Sequence, residues 1–163
     1  MRRIILLIMV CLLLIPGMVL AQDKNIYETE NFSVTFPVGW KPISNPNSSV
    51  IVAALAPSKN TTIGITMIPT QVEPNINETI ENFKRKQPEL QVESRKQIKI
   101  ADQDAWLVKF KSTKDYLQVT TFHHGDFHYS ILMFGTLDTY QEVQSIYEDT
   151  ATSFRIKPTT PIH

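Results

Sequence analysis

The chain has 163 residues, with 16 basic and 16 acidic side chains and a formal net charge of zero. Without an excess of positive charge it creates no field that attracts nucleic acid or anionic lipid, so neither is an expected partner. The hydrophobic content of 42% and the single cysteine indicate a folded domain that is stabilised by an apolar core rather than by disulfides.

Residues 1–21 have the pattern of a signal peptide. Two arginines precede an apolar run, residues 4–15, and Pro16 and Gly17 then break the helix that such a run forms. Ala21 offers the small residue that the peptidase requires, so we predict cleavage after it. The alternative is an uncleaved anchor, because the apolar segment approaches the length that spans a bilayer of about 30 Å.

Cleavage at this point changes the chemistry of the mature chain. It removes Cys11, so no thiol nucleophile, disulfide or thiolate metal site is expected. It also removes Arg2 and Arg3, which leaves two fewer basic side chains than acidic ones. We therefore predict an exported monomer, periplasmic, at the cell surface or secreted, that does not insert into the membrane after cleavage.

The mature chain is predicted to form one domain, residues 22–157, followed by a flexible tail, 158–163. Its first strand, Phe32–Phe36, alternates apolar and polar residues and ends at a proline. Two further strands, Val50–Leu55 and residues 61–68, are predicted to pair as a hairpin.

Two segments have the period of an amphipathic helix. In the first, apolar residues recur over 76–83 and Asn75 is the predicted N-cap. In the second, they recur over 139–153 and Asp138 is the predicted N-cap. In both, a glutamate or glutamine three residues after the cap completes the pattern of a capping box.

The segment 91–111 is predicted to form a hairpin whose register depends on its turn. We prefer a three-residue loop at 102–104, because it pairs Ile98 with Val108, whereas a two-residue turn would mix polar and apolar residues on one face. This register places four basic side chains together on the other face, Arg95, Lys99, Lys109 and Lys111. They form a candidate docking patch for an acidic partner, and the alternative is an ordinary solvated strand face.

A second long hairpin, over 116–134, turns at Gly125 and Asp126 with a type II′ geometry. This turn pairs His123 with His128 across the strands, where two imidazoles are close enough to share a divalent metal ion. Asp126 could add an oxygen ligand. The alternative is a solvated hairpin tip without a function.

The predicted elements define an α+β fold, an α/β/α sandwich with a central antiparallel sheet of about six strands and a helix on each face. A short final strand is predicted over 154–156. The large aromatic residues on the strands are expected in the core: Trp40, Trp106, Phe110, Phe122, Tyr129 and Phe134.

A stretch near the start, Phe32-Ser-Val-Thr-Phe-Pro-Val-Gly-Trp40, is followed by a short helix, two hairpins and a closing helix that ends at Ser153-Phe154. This layout resembles the PsbP-like family, which includes the extrinsic subunit of the photosystem II oxygen-evolving complex and many exported proteins. The resemblance covers residues 27–156 and implies a sandwich fold and a non-catalytic docking or assembly role. At 102–105 the chain has Asp-Gln-Asp-Ala where the family often has glycine, and no photosystem-binding motif matches, so a photosynthetic role is not implied.

Catalytic patterns are not found in the sequence. Ser130 is predicted within a strand opposite Thr121, and not at a glycine-flanked elbow beside a base. Two sequons, at Asn47 and Asn60, lie in predicted loops where glycans could be attached. We therefore predict a non-catalytic exported module without a cofactor, which binds a protein or an envelope component. Divalent-metal binding at the histidine tip is the alternative function.

Overall fold

The computed structural model describes residues 25–42, 50–70, 72 and 75–158. The predicted signal peptide, Asn47 and nearly all of the predicted tail lie outside these residues. The described part contains ten strands and two α-helices. The strands are β1 (Asn25–Glu28), β2 (Phe32–Phe36), β3 (Lys41–Pro42), β4 (Val50–Leu55), β5 (Thr61–Pro69), β6 (Gln91–Ile100), β7 (Gln103–Lys111), β8 (Asp115–His124), β9 (Phe127–Thr136) and β10 (Arg155–Ile156). The helices are α1 (Ile76–Lys86) and α2 (Tyr140–Ser153), and a 3-10 turn (Leu137–Thr139) precedes α2.

The strands form two antiparallel sheets. A large sheet has seven strands in the order β3-β4-β5-β9-β8-β7-β6, and a small sheet has the order β1-β2-β10. The α+β class predicted from the sequence is confirmed, but the small sheet was not expected. It forms because β2 pairs with the last strand, with Ser33 opposite Arg155, and this contact between distant parts of the chain has no local signal.

The main core lies between the large sheet, the small sheet and α2. Phe154, at the end of α2, is fully buried and stacks on Phe32 of the small sheet at a centroid distance of 5.0 Å. Tyr147 is also buried, and its hydroxyl lies 2.6 Å from Thr120 Oγ1 and 3.0 Å from the carbonyl oxygen of Ile131. Burial raises the pKa of the Tyr147 phenol well above its usual value, so this hydroxyl stays neutral and can donate.

A second, smaller core lies on the opposite face of the large sheet, under α1. Ile80 is buried against strand residues that include Val108 and Phe110, and the ring of Phe83 lies 5.7 Å from that of Phe110. Asn75 caps α1 as predicted, with its side-chain oxygen accepting from the backbone N–H of Asn77 at 2.9 Å. This small cluster reaches β7, β8 and β9, so α1 covers only part of its face.

Two details of the predicted packing were wrong. Phe134 was expected in the core but is 41% exposed, because it lies on the α1 face of β9 outside the small cluster, and Trp106 is half-buried. Asp138 was expected to cap α2, but it lies within the 3-10 turn and its carboxylate accepts from the hydroxyl of Thr136. The residue before α2, Thr139, makes no side-chain cap.

Of the two long hairpins, one has the register predicted from the sequence and the other does not. The turn at Gly125, with φ of 58°, and the pairing of His123 with His128 are confirmed. The predicted register of β6 with β7 was wrong: the turn is the two-residue pair Ala101–Asp102, and Ile98 lies opposite Ala105. Both turn residues have positive φ, 47° and 64°, which is typical of the type I′ turn that matches the twist of paired strands.

Candidate functional site

The two paired histidines at the tip of the β8–β9 hairpin both form hydrogen bonds within the chain. The Nε2 atom of His128 lies 2.7 Å from Thr121 Oγ1 and 3.4 Å from Ser130 Oγ. The Nε2 atom of His123 lies 3.2 Å from the carbonyl oxygen of Thr70, the residue after β5. Because a carbonyl oxygen only accepts, His123 must carry its proton on Nε2. Its Nδ1 atom therefore has the lone pair.

The ring of His128 is half-buried, and its Nδ1 atom is buried without a hydrogen-bond partner. The Thr121 hydroxyl also lies 3.3 Å from the carbonyl oxygen of Tyr129. When it donates there, it accepts from Nε2–H of His128, and Nδ1 is left as an unpaired acceptor. Burial, and secondly the facing His123, lowers the pKa of His128 below its ordinary value.

When neutral, as metal binding requires, each ring in these tautomers has its lone pair on Nδ1, and this atom of His128 is buried. Asp126, the predicted oxygen ligand, is exposed in the turn. Within the ranges that the structure describes, no group of three or more histidine, cysteine, aspartate or glutamate side chains has the arrangement of a metal site. Metal binding by His123, His128 and Asp126 stays a prediction.

The four basic residues of the predicted docking patch do not share a face. Arg95 lies opposite Val108, whereas Lys109 lies opposite Ser94, and neighbouring positions of a strand point to opposite faces. Arg95 and Lys99 are therefore on the α1 face, and Lys109 and Lys111 are on the α2 face. The prediction of one face was wrong because the actual turn changes the register, which moves half of the side chains to the other side.

Each of these side chains has a partner near the surface. The Nζ atom of Lys99 lies 2.8 Å from Asp104, that of Lys111 lies 3.8 Å from Glu93, and Arg95 donates to the Asn77 side chain at 3.1 Å. The Nζ atom of Lys109 lies 5.9 Å from the ring centroid of Tyr140. Ion pairs as exposed as these contribute about 0–1 kcal/mol to stability, so the side chains can exchange partners readily.

The sequence analysis missed that β6 is an edge strand. It has β7 as its one neighbour among the described strands, and its first seven residues, 91–97, are exposed. The composition of β6 does indicate an edge strand, because it has four charged side chains but only three apolar ones. The sequence of the Ala101–Asp102 turn did not indicate the register of β6 with β7, because alanine rarely adopts positive φ.

Two surface crevices of about 340 Å³ lie beside α2 and beside β10. In the first, the hydroxyl of Ser153 accepts from the Thr35 N–H at 2.9 Å and donates to the Thr150 carbonyl at 2.7 Å. In the second, Arg155 donates to the Phe154 carbonyl at 2.7 Å and Lys157 lies 3.3 Å from Glu28. These polar groups therefore form hydrogen bonds and an ion pair within the chain.

Two further predictions concern the surface. Asn60 lies half-buried in the β4–β5 connection, where its side-chain oxygen accepts from the Ser58 hydroxyl, and glycan attachment at Asn47 or Asn60 stays a prediction. Across the described ranges, no helix is both long enough and apolar enough to span a bilayer.

Comparison with known protein families and with curated sequences finds no match. Among solved structures, the chain is similar to cyanobacterial PsbP (CyanoP) from Synechocystis, with a TM-score of 0.65, 10% identity, and coverage of 86% of this chain and 96% of that one. It is also similar to LpqN, involved in cell envelope biogenesis of Mycobacterium tuberculosis, with a TM-score of 0.60, 10% identity, and coverage of 85% and 87%. A Pseudomonas aeruginosa protein of unknown function matches with a TM-score of 0.50 and 12% identity over 83% and 99% of the two chains.

These likenesses define the class of fold. The chain has a PsbP-like fold, as the resemblance of its sequence predicted. At 10% sequence identity, the similarity to these structures shows the fold of the chain and does not show its activity.

Proposed function

We propose that this chain is a non-catalytic, exported binding or assembly module that acts on a protein or another component of the cell envelope. The observation that carries the proposal is the likeness to CyanoP and LpqN, which extends over nearly all of both chains. LpqN is involved in cell envelope biogenesis, and residues 1–21 have the pattern of an export signal. The module is a monomer, and α1 and α2 form the outer layers of its sandwich.

The surface chemistry supports binding rather than catalysis. In the two crevices, Ser153 and Arg155 hydrogen-bond to the protein's own main chain, and Lys157 ion-pairs with Glu28. Among the described residues, the groups with displaced pKa values are three tyrosines and one histidine, Tyr116, Tyr129, Tyr147 and His128, and none of them lines either crevice. Burial is the largest cause of each displacement, and these groups are held within the core or the hairpin rather than in a crevice.

The experiment is site-specific photo-crosslinking of the full chain in the organism that encodes it. We would place the crosslinker at Lys96 on β6, at His124 beside one crevice, and at Glu148 on the exposed side of α2. From at least one of these positions we expect a discrete adduct, in which one chain is crosslinked to one partner molecule. Only uncrosslinked chain from all positions, or turnover of ester, phosphoester or peptide substrates by the purified chain, would contradict the proposal.

The second candidate function is divalent-metal binding, and the pairing of His123 with His128 favours it. Calorimetric titration with zinc and with manganese tests it on the wild type and on the double variant His123→Ala/His128→Ala. The matched control is His124→Ala, because that ring lies on the other face of the hairpin. Loss of binding in the double variant alone is expected. Identical curves for the wild type and the double variant would exclude this site.

A further inference from the structure

The strand β6 combines unusual length with an open edge. It has ten residues, whereas strands commonly have about five or six, and it borders only β7 among the described strands. Natural edges of this kind are shielded by bulges and lysines, and β6 has both, with an extra residue at Glu93 and a lysine at position 96. The bulge lies near the start of β6, so the stretch from Ser94 to Ile100 remains regular.

The register identifies the backbone groups that this edge exposes. The two-residue turn makes Ile100 and Gln103 a hydrogen-bonded pair. Such pairs alternate along an antiparallel ladder with pairs whose N–H and C=O groups point away from each other. Arg95, Gln97 and Lys99 occupy the second kind of position, so their N–H and C=O groups point outward. A further strand could hydrogen-bond to all three residues.

The edge is also the basic part of the chain. Residues 84–111 carry eight basic and four acidic side chains, although the whole chain has 16 of each. All other segments together therefore have an excess of acidic residues. On β6, Arg95 and Lys99 project on the α1 face, and Lys96 projects on the α2 face beside Ile98. Ile98 is half-buried and packs against the main core, so its exposed part can take an apolar neighbour.

This charge excludes a second copy of the chain as the favoured occupant. In an antiparallel pair of two β6 strands centred on Gln97, which uses the outward groups of both copies, Arg95 of one copy would face Lys99 of the other. Like charges directly opposite each other destabilise paired strands. A strand with acidic side chains at the same positions gains attraction instead.

We propose that β6 is a docking edge for an extended acidic segment of a partner protein, which joins the large sheet as an eighth strand. The proposal rests on the proposed function and names the partner's chemistry. The segment alternates acidic residues, beside Arg95 and Lys99, with apolar residues beside Ile98. Backbone hydrogen bonds supply affinity, and the alternating side chains supply specificity.

The test uses a synthetic probe peptide of alternating glutamate and valine, with a lysine–valine peptide as the control. Amide hydrogen exchange is measured by NMR on the full folded chain, with the peptide at millimolar concentration. Exchange at Arg95, Gln97 and Lys99 is expected to slow on adding the acidic peptide, and to stay unchanged with the basic one. No slowing at these amides with the acidic peptide would overturn the proposal.

A proline variant separates strand addition from simple charge attraction. Gln97→Pro removes an outward N–H that β7 does not use, and the ring blocks an incoming strand. It is expected to weaken binding of the acidic peptide at least about tenfold, whereas the matched Gln97→Thr variant keeps the N–H and should change it less than about threefold. Equal affinity of both variants would show that the peptide binds elsewhere.

A charge variant covers the case in which the proline variant fails to fold. Arg95→Glu/Lys99→Glu leaves the backbone unchanged and should bind the lysine–valine peptide in place of the acidic one. No change of preference would contradict the docking edge. Failure of this proposal is distinguishable from failure of the proposed function. An adduct from Glu148 or His124, without one from Lys96, would leave a binding module whose site is not β6.

Discussion

The tip of the β8–β9 hairpin contacts the end of β5 through the β5–β9 ladder and through two further hydrogen bonds. His123 donates to the carbonyl of Thr70 at 3.2 Å, and the Thr70 N–H donates to the carbonyl of Asp126 at 2.8 Å. These two bonds attach the end of β5 to the turn that follows β8. Of the two paired histidines, His128, which lies opposite Ile68 of β5, is the one whose pKa is displaced in the folded state.

The stability of the folded chain should fall as pH drops below about 6.5, because the pKa of His128 is lowered in the folded state. Above that pH the ring is neutral in both states and contributes no dependence. Below it the unfolded chain takes up a proton that the folded chain resists, which favours unfolding. Urea unfolding between pH 7.5 and 5.5 measures the slope.

The variant His128→Asn should flatten this pH dependence, because it removes the titrating group. The control His124→Asn lies on the opposite face and should keep the slope of the wild type. An unchanged slope in His128→Asn would assign the pH dependence to other residues.

The turns decide the register of both long hairpins, and each begins with a residue at positive φ. Gly125 has φ of 58°, and a Cβ atom placed there would meet nothing within 4 Å. Ala101 has φ of 47° but carries a side chain that packs against the main core. One turn is thus free of strain and the other is not.

Opposite changes at the two turns should have opposite effects. Gly125→Ala is expected to lower the free energy of unfolding by about 1–2 kcal/mol, since its cost is purely conformational. Ala101→Asn/Asp102→Gly creates the preferred type I′ pair and is expected to raise it by about 1 kcal/mol. Chemical denaturation measures both, and a loss of stability in the double variant would contradict the type I′ assignment.

The same contrast explains what could be predicted from the sequence. The β8–β9 register followed from Gly125, because glycine at that position selects one turn. The β6–β7 register did not follow, because Ala101 gives no sign of positive φ and the pairing of Ile98 with Val108 looked more apolar than the actual one. The histidine pair was therefore predicted, whereas the exposed edge of β6 was not.

At the scale of the whole molecule, the small sheet joins the two ends of the described chain. β2 pairs with β1 on one side and with β10 on the other, and the Thr35 N–H donates to Ser153 Oγ at 2.9 Å. Alternation alone predicted β2 as a strand, but not its sheet, because its partners lie far apart in sequence. This arrangement fixes α2 on one face and leaves β6 open at the far edge of the large sheet.

Phe154 connects these layers, and its ring packs against three others. It stacks on Phe32 at 5.0 Å and lies edge-on to Phe122 and Tyr129 at 5.5 and 5.7 Å. Phe154→Ala should therefore lower the free energy of unfolding by about 3–5 kcal/mol. The matched Phe134→Ala removes a ring that is 41% exposed and should cost less than about 2 kcal/mol. Urea unfolding compares the two, and equal losses would contradict the central place of Phe154 in the core.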